Sequence, residues 1–146
     1  MYIVSACLAG IKCRYDGKDN ENNDIIKLIK EGKAIPICPE VLGGLSIPRV
    51  PCEILKDENG DIKVINKEGI DCTLEFIEGA KKALAIAEIV EADAAILKSK
   101  SPSCGCGKIY DGRFTGRLID GDGITTKLLK ENGINIYTEN TFTLDE

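Results

Sequence analysis

Short apolar runs alternate with longer segments of helical period along the chain. The apolar runs are typical of buried strands and cover residues 2–6, 34–38, 94–98 and 134–138. Apolar positions three and four residues apart predict helices over 24–31, 71–91 and 124–131, the second of them capped by Asp71. This strand–helix–strand order predicts parallel pairing with right-handed crossovers. We therefore predict an α/β protein, one domain over 1–146 with a three-layer, Rossmann-like open sheet that is mostly parallel.

Two short β-hairpins are predicted as additions to this sheet. Residues 53–56 and 61–65 flank Asn59-Gly60, a dipeptide that is typical of a type I′ turn. A second hairpin is predicted around Asp111-Gly112. The stretch from 39 to 51 is rich in proline and glycine, so we predict a loop there.

Composition and charge exclude several classes of function. No apolar run approaches the ~20 residues that cross a bilayer, and the first residues lack the basic region and cleavage site of a signal peptide, so we expect a cytosolic protein. The net charge of −5 and the aromatic content of 5% disfavour nucleic acid as a partner, because nucleic acids are bound by clustered cations and stacked aromatic rings. We expect a small-molecule substrate, and either a monomer or a homodimer.

Seven cysteines and no histidine restrict the possible metal chemistry. An odd count without an export signal disfavours a disulfide framework. Cys7 and Cys38 stand at the ends of the first two predicted strands and Cys104 lies in the loop after the third, so they should converge at the carboxyl edge of one sheet. Thiolates that converge repel one another unless a cation binds them. All-thiolate sites suit Zn²⁺ or an iron–sulfur cluster; the chain lacks the paired cysteines of zinc ribbons, and three dispersed ligands suit the larger cluster.

The other cysteines and the neighbouring polar residues allow two readings each. Cys13, Cys52 and Cys72 are interpreted as small buried hydrophobic residues, although a role for Cys13 or Cys106 stays open. Glu40 is either an acid at a helix start or a proton carrier beside the metal.

The serines and arginines near the candidate ligands are equally ambiguous. Ser101 and Ser103 either cap a turn or offer hydroxyls beside Cys104. Arg14 and Arg49 either form ordinary ion pairs or supply positive charge to an anionic cluster or substrate.

Four sequence blocks resemble the thiouracil desulfidase family. They are SACLAG at 5–10, CRYDG at 13–17, CPEVLGGL at 38–45 and KSKSPSCG at 98–105. Pro48-Arg49, Tyr110-Asp111-Gly112 and Gly121-Asp122-Gly123 extend the match over nearly the whole chain.

The resemblance implies an oxygen-sensitive [4Fe–4S] cluster on three cysteines, which here are Cys7, Cys38 and Cys104, with one open iron. It also implies that Glu40 and Ser101 assist catalysis. The implied reaction removes sulfur from a thiolated base such as thiouracil without redox change, giving the oxo base and hydrogen sulfide.

In this reading, Ser5, Asp16 and Ser103 are candidate substrate contacts. Two alternatives stay open. In the first, the cluster carries sulfide into a nucleotide or transfer RNA. In the second, the thiols act as a sensor that binds Zn²⁺ or forms disulfides between Cys104 and Cys106 or between Cys7 and Cys13.

Overall fold

The computed structural model describes residues 1–143, which form eight strands and four helices. In chain order they are β1 (Tyr2–Ser5), α1 (Asn23–Lys30), β2 (Ala34–Ile37), α2 (Pro39–Leu42), β3 (Cys52–Lys56), β4 (Ile62–Asn66), α3 (Thr73–Ile89), β5 (Ala94–Leu97), β6 (Lys108–Tyr110), β7 (Leu118–Asp120), α4 (Ile124–Glu131) and β8 (Asn135–Thr138). One 3₁₀ turn, Ala6–Ala9, directly follows β1. No helix in this part of the chain is long and apolar enough to cross a membrane.

The central sheet has four strands in the order β2-β1-β5-β8, and every pair in it is parallel. In this register Ile3 lies between Ile35 and Ala95. The two inner strands are apolar on both faces, as expected for a parallel sheet covered on both sides. The predicted α/β class with a mostly parallel sheet is confirmed.

Helices cover both faces of this sheet. On one face, Ile25 of α1 belongs to an apolar cluster with Val4 and Ile96. On the other face, Ala83 of α3 and Leu129 of α4 pack into a second cluster. Burial of these side chains is the main force that holds the three layers together.

Both predicted hairpins form, but the first turn differs from the prediction. β3 pairs with β4 and β6 with β7, both antiparallel. The prediction of a type I′ turn at Asn59-Gly60 was wrong. Of these two residues only Gly60 has a positive φ, of 83°, whereas a type I′ turn needs a positive φ at both central residues. The connection is instead a longer turn in which the Gly60 N–H donates to the Asp57 carbonyl at 3.1 Å.

Two other predicted boundaries are corrected. The stretch expected to be a loop begins with a one-turn helix, α2, which starts at Pro39, a residue whose fixed φ suits the first helical position. The long helix α3 ends at Ile89 rather than at Glu91, which has a left-handed φ of 55°. Asp71 does act at its start, where its Oδ1 accepts from the Thr73 N–H at 2.9 Å.

The backbone of α2 rests directly on the backbone of α3. A Cβ atom added to Gly43, just after α2, would lie 1.9 Å from the Glu75 carbonyl oxygen. One added to Gly79 of α3 would lie 1.9 Å from the Pro39 carbonyl oxygen. Only glycine allows so close an approach, and the contact fixes the position of the segment that follows β2.

Candidate functional site

A cavity of about 600 Å³ opens at the carboxyl edge of the central sheet. Its walls are formed by the segments that follow β1, β2 and β5, together with the loop between β6 and β7. This is where parallel α/β sheets place their ligands. The lining includes the three predicted ligands and both predicted catalytic residues, namely Cys7, Cys38, Cys104, Glu40 and Ser101.

Each of the three thiols lies in the segment that follows a different strand of the central sheet. Cys7 lies in the 3₁₀ turn after β1, Cys38 is the residue that precedes α2, and Cys104 lies in the loop after β5. Cys7 and Cys104 are buried, and Cys38 is half-buried. The alternation of strands and helices therefore brings together residues that are far apart in sequence.

The protonation of these thiols depends on burial and on one another. Burial raises the pKa of Cys104 well above its ordinary value, and the nearby Glu40, Cys7 and Cys38 raise it further. Burial likewise raises the pKa of Cys7. A hydrogen bond with Cys13 lowers the pKa of Cys38. The three thiols thus disfavour one another's ionisation, and a bound cation would remove this cost.

The donor set fits an iron–sulfur cluster better than a single ion. Within residues 1–143, no three Cys, Asp or Glu side chains stand close enough together to hold one metal ion. The three thiols nevertheless line one cavity, so they are neighbours across a shared space. A cluster is larger than one ion and takes thiolate ligands from separate directions, so these residues fit it.

Glu40 and Ser101 are linked inside the cavity. The Ser101 hydroxyl lies 3.4 Å from Glu40 Oε1 and donates to it. The same Oγ accepts the backbone N–H groups of Ser103 at 3.0 Å and Cys104 at 2.9 Å. Ser101 thus shapes the turn that carries Cys104 and directs its proton towards the carboxylate.

The three candidate substrate contacts have different surroundings. Ser5 lines the cavity, where its Oγ accepts from the Lys98 N–H at 2.9 Å. Asp16 is outside the lining and forms an ion pair with Arg14 at 3.2 Å.

Ser103 does not face the cavity. It is 1% exposed, and its Oγ lies 2.9 Å from Thr125 Oγ1, at the start of α4. This placement does not favour the prediction that Ser103 contacts a substrate, because its hydroxyl joins a loop to a helix; the role of Ser103 stays a prediction.

Sequence reasoning missed a second acid in the cavity wall. Glu53 of β3 accepts the N–H groups of Gly112 at 3.0 Å and Phe114 at 3.2 Å through its Oε1. It thereby fixes the loop between β6 and β7, which brings Phe114 to the cavity. A lone acid in a strand gives no signal of such a contact, since the loop it binds lies about 60 residues further along the chain.

An ion pair at the cavity margin joins the ends of two neighbouring strands. Lys98 Nζ lies 2.8 Å from Glu139 Oε2. Glu139 Oε1 also accepts the Ser99 N–H at 2.8 Å. Lys98 borders the cavity, and its charge lowers the pKa of Cys7 against the larger effect of burial.

The fold and the cavity together define a parallel α/β protein with a thiol-lined site at the carboxyl edge of its sheet. The family model of 2-thiouracil desulfurase matches residues 2–141. The chain belongs to this family, and the resemblance carried by the four sequence blocks is confirmed.

Two relatives extend this comparison. The chain is 47% identical over 145 residues to the Bacillus subtilis (strain 168) uncharacterized protein YbbK, with 96% of each chain covered. It is also similar to the solved structure of the [4Fe–4S]-dependent thiouracil desulfidase TudS. The TM-score is 0.86 at 43% identity, and the match covers 95% of this chain and 90% of that one.

Proposed function

We propose that this protein is a [4Fe–4S]-dependent desulfidase that converts a thiolated base such as thiouracil into the oxo base and hydrogen sulfide. The observation that carries the proposal is the meeting of Cys7, Cys38 and Cys104 with Glu40 in one cavity. Membership of the 2-thiouracil desulfurase family supports it. The cavity volume falls in the range of roughly 300–1,000 Å³ that is typical of small-molecule sites.

Cys7, Cys38 and Cys104 are the residues that would hold the cluster, leaving one iron without a protein ligand. When bound, the cluster supplies a soft Lewis acid that polarises a carbon–sulfur bond, with no net change of oxidation state. The reaction is then a hydrolysis: water supplies the oxygen of the product, and the sulfur leaves as hydrogen sulfide.

Glu40 is the proton carrier in this proposal. Its carboxylate accepts a proton from the attacking water and returns it to the ring nitrogen or to the departing sulfur. The hydroxyl of Ser101 lies 3.4 Å from Glu40 Oε1. Ser101 therefore orients the carboxylate from one side, and Ser5, which lines the cavity, is the proposed substrate contact.

The test is an anaerobic assay against a panel of thiolated pyrimidines. Protein reconstituted with iron and sulfide should convert thiouracil to uracil and release one sulfide per uracil, whereas the cluster-free protein should not. A reconstituted protein that converts no member of the panel would contradict the proposal. Labelled sulfide that appears in transfer RNA, with no sulfide released from the bases, would favour sulfur insertion instead.

Two finer predictions from the sequence stay predictions. They are that residues 1–146 act as one domain and that the protein works in the cytosol. The oligomeric state also stays open between a monomer and a homodimer, and size-exclusion chromatography of the reconstituted protein distinguishes the two.

A further inference from the structure

Arg49 lies beside the cavity with an almost fully buried side chain that has several partners. The side chain is 8% exposed, and its Nη2 pairs with Glu40 Oε2. Its Nη1 donates to the carbonyl oxygens of Cys13 and Ser46, both at 3.1 Å. The backbone N–H of Arg49 donates to the Tyr15 carbonyl at 2.8 Å. The guanidinium is thus held by two backbone carbonyls as well as by the carboxylate of Glu40, and the backbone of Arg49 is fixed too.

The carboxylate of Glu40 is shared between two fixed partners. Arg49 takes Oε2, and the Ser101 hydroxyl lies 3.4 Å from Oε1. Glu40 belongs to a helix of only one turn, and a glutamate side chain has several rotatable bonds that this short backbone does not restrict. The two partners together therefore set the plane and direction of the carboxylate.

We propose that Arg49 is a positioning residue for the desulfidation. It acts through Glu40, by holding Oε2 so that Oε1 faces Ser101 and the cavity. The inference rests on the proposed function, in which Glu40 carries the proton. It goes further by naming the residue that makes this carboxylate available in one orientation.

The guanidinium group is suited to this task in a way that an ammonium group is not. Arg49 uses two of its nitrogens at once, one on Glu40 and one on two backbone carbonyls. A lysine presents a single charged point on a flexible stem, so it cannot satisfy both sides in the same plane. An apolar side chain would leave the Glu40 charge without its partner in a largely buried place.

The first test compares Arg49→Lys and Arg49→Met in the reconstituted enzyme. We expect kcat for thiouracil to fall by roughly 10-fold in Arg49→Lys and by roughly 100-fold in Arg49→Met, the scale of losing an aligned acid–base group. KM and the iron and sulfide content should stay close to the wild-type values. A purely structural role would instead lower cluster content and raise KM.

The second test combines the Arg49 and Glu40 changes. If Arg49 acts through Glu40, then Arg49→Met should change kcat by less than about threefold in a Glu40→Gln background, because coupled residues are not additive. The cluster-free proteins provide a readout apart from activity: Arg49→Met should lower Tm more when Glu40 is present than in the Glu40→Gln background.

Arg117→Met is the matched control, since Arg117 is exposed and outside the cavity lining; it should behave like the wild type. A wild-type kcat in Arg49→Met, or an equal fold loss in both backgrounds, would overturn the inference while leaving the desulfidase activity intact. A wild-type enzyme with no thiouracil turnover would overturn both.

Discussion

Two groups of cysteines in this protein have the same chemistry but different surroundings. Cys52 begins β3 and Cys72 directly precedes α3; both belong to an apolar cluster with Phe76, and Cys52 also borders the cavity. Burial, with a further contribution from Cys72, raises the pKa of Cys52 to about 12. Burial also raises the pKa of Cys72. Both thiols therefore stay protonated at neutral pH and behave as small apolar side chains.

The cavity thiols have charged side chains beside them. The positive charge of Lys98 favours ionisation of Cys7, and that of Arg49 favours ionisation of Cys38, although burial and a neighbouring thiol have larger effects. Cys104 is buried, but it faces the same cavity. Cys52 also has Arg49 nearby, so proximity to a cation does not separate the two groups. Position at the carboxyl ends of the parallel strands, rather than the number of cysteines, distinguishes the candidate metal site from the core.

The largest expected effect is loss of the cluster when a cavity thiol is removed. We expect Cys7→Ala, Cys38→Ala and Cys104→Ala each to abolish desulfidation and to lower bound iron and sulfide sharply after anaerobic reconstitution, because each change removes one thiolate ligand. Absorbance near 400 nm, roughly where thiolate-bound clusters absorb, gives a second measurement.

Cys72→Ala is the matched control for this experiment, because Cys72 is outside the cavity lining. It removes a thiol of the apolar pair and should keep both cluster and activity. Equal cluster loss in Cys72→Ala and Cys38→Ala would erase the distinction between the two groups. Wild-type cluster content in all three cavity variants would place the ligands elsewhere.

The next effect concerns catalysis without loss of the cluster. Glu40→Gln keeps the shape of the side chain and removes its ability to accept a proton. We expect kcat to fall by roughly 100-fold or more, the usual scale for a general acid–base residue, with iron content unchanged. Turnover at the wild-type rate would exclude Glu40 from proton transfer.

A smaller effect is expected at the contact between α2 and α3. The Cβ in Gly79→Ala would lie 1.9 Å from the Pro39 carbonyl oxygen, so α2 must move away, at a cost of about 1–3 kcal/mol. We expect a lower Tm and weaker retention of the cluster, since the Cys38 segment moves with α2.

Lys81 is exposed on the same helix. Lys81→Ala is therefore the control and should leave Tm nearly unchanged. A Gly79→Ala protein with the Tm and cluster content of the wild type would show that this contact does not support the cavity.

The smallest effect concerns Glu139, which holds Lys98 at the cavity margin. Burial alone would raise the pKa of Glu139, but hydrogen bonds from Lys98 and the Ser99 N–H lower it below its ordinary value. A lowered folded-state pKa stabilises the fold above the unfolded pKa of about 4.3, and this stability is lost as the pH falls through the folded pKa.

Glu139→Gln should therefore reduce stability at pH 7, by roughly 1 kcal/mol or less because the pair is partly solvated. The difference in Tm from the wild type should shrink as the pH falls below about 4. A constant difference from pH 7 to pH 3 would mean that the charge of Glu139 does not stabilise the fold.

Much of the fold was predictable because hydrophobic period is a local property. Buried strands such as β5 and the helix α4 were located directly from apolar spacing. The short helix α2 was missed because proline and glycine surround it, although Pro39 at its first position and Gly43 at its end are signals for such a turn. The Asn59-Gly60 turn was misassigned because strand pairing begins only at Lys56 and Ile62, which leaves a five-residue connection over 57–61 that the dipeptide does not encode.

The candidate site was predictable only in part, for a different reason. The convergence of the three cysteines follows from strand topology, so local patterns were sufficient to anticipate it. Other features depend on tertiary packing between distant segments. They are the ion pair of Glu40 with Arg49, the contact of Glu53 with the β6–β7 loop and the hydrogen bond of Ser103 to Thr125. Ser103 shows this limit most clearly: it is only two residues from Ser101 in the same loop, yet Ser101 lines the cavity and Ser103 bonds to Thr125.

The central claim is that three thiolates hold one cluster at the carboxyl edge of the sheet. Metal and sulfide analysis of the wild-type protein, purified and reconstituted without oxygen, tests it most directly. The account predicts four irons and four sulfides per chain, the composition of the [4Fe–4S] cluster on which TudS depends, and no zinc. Stoichiometric zinc without iron or sulfide would contradict it.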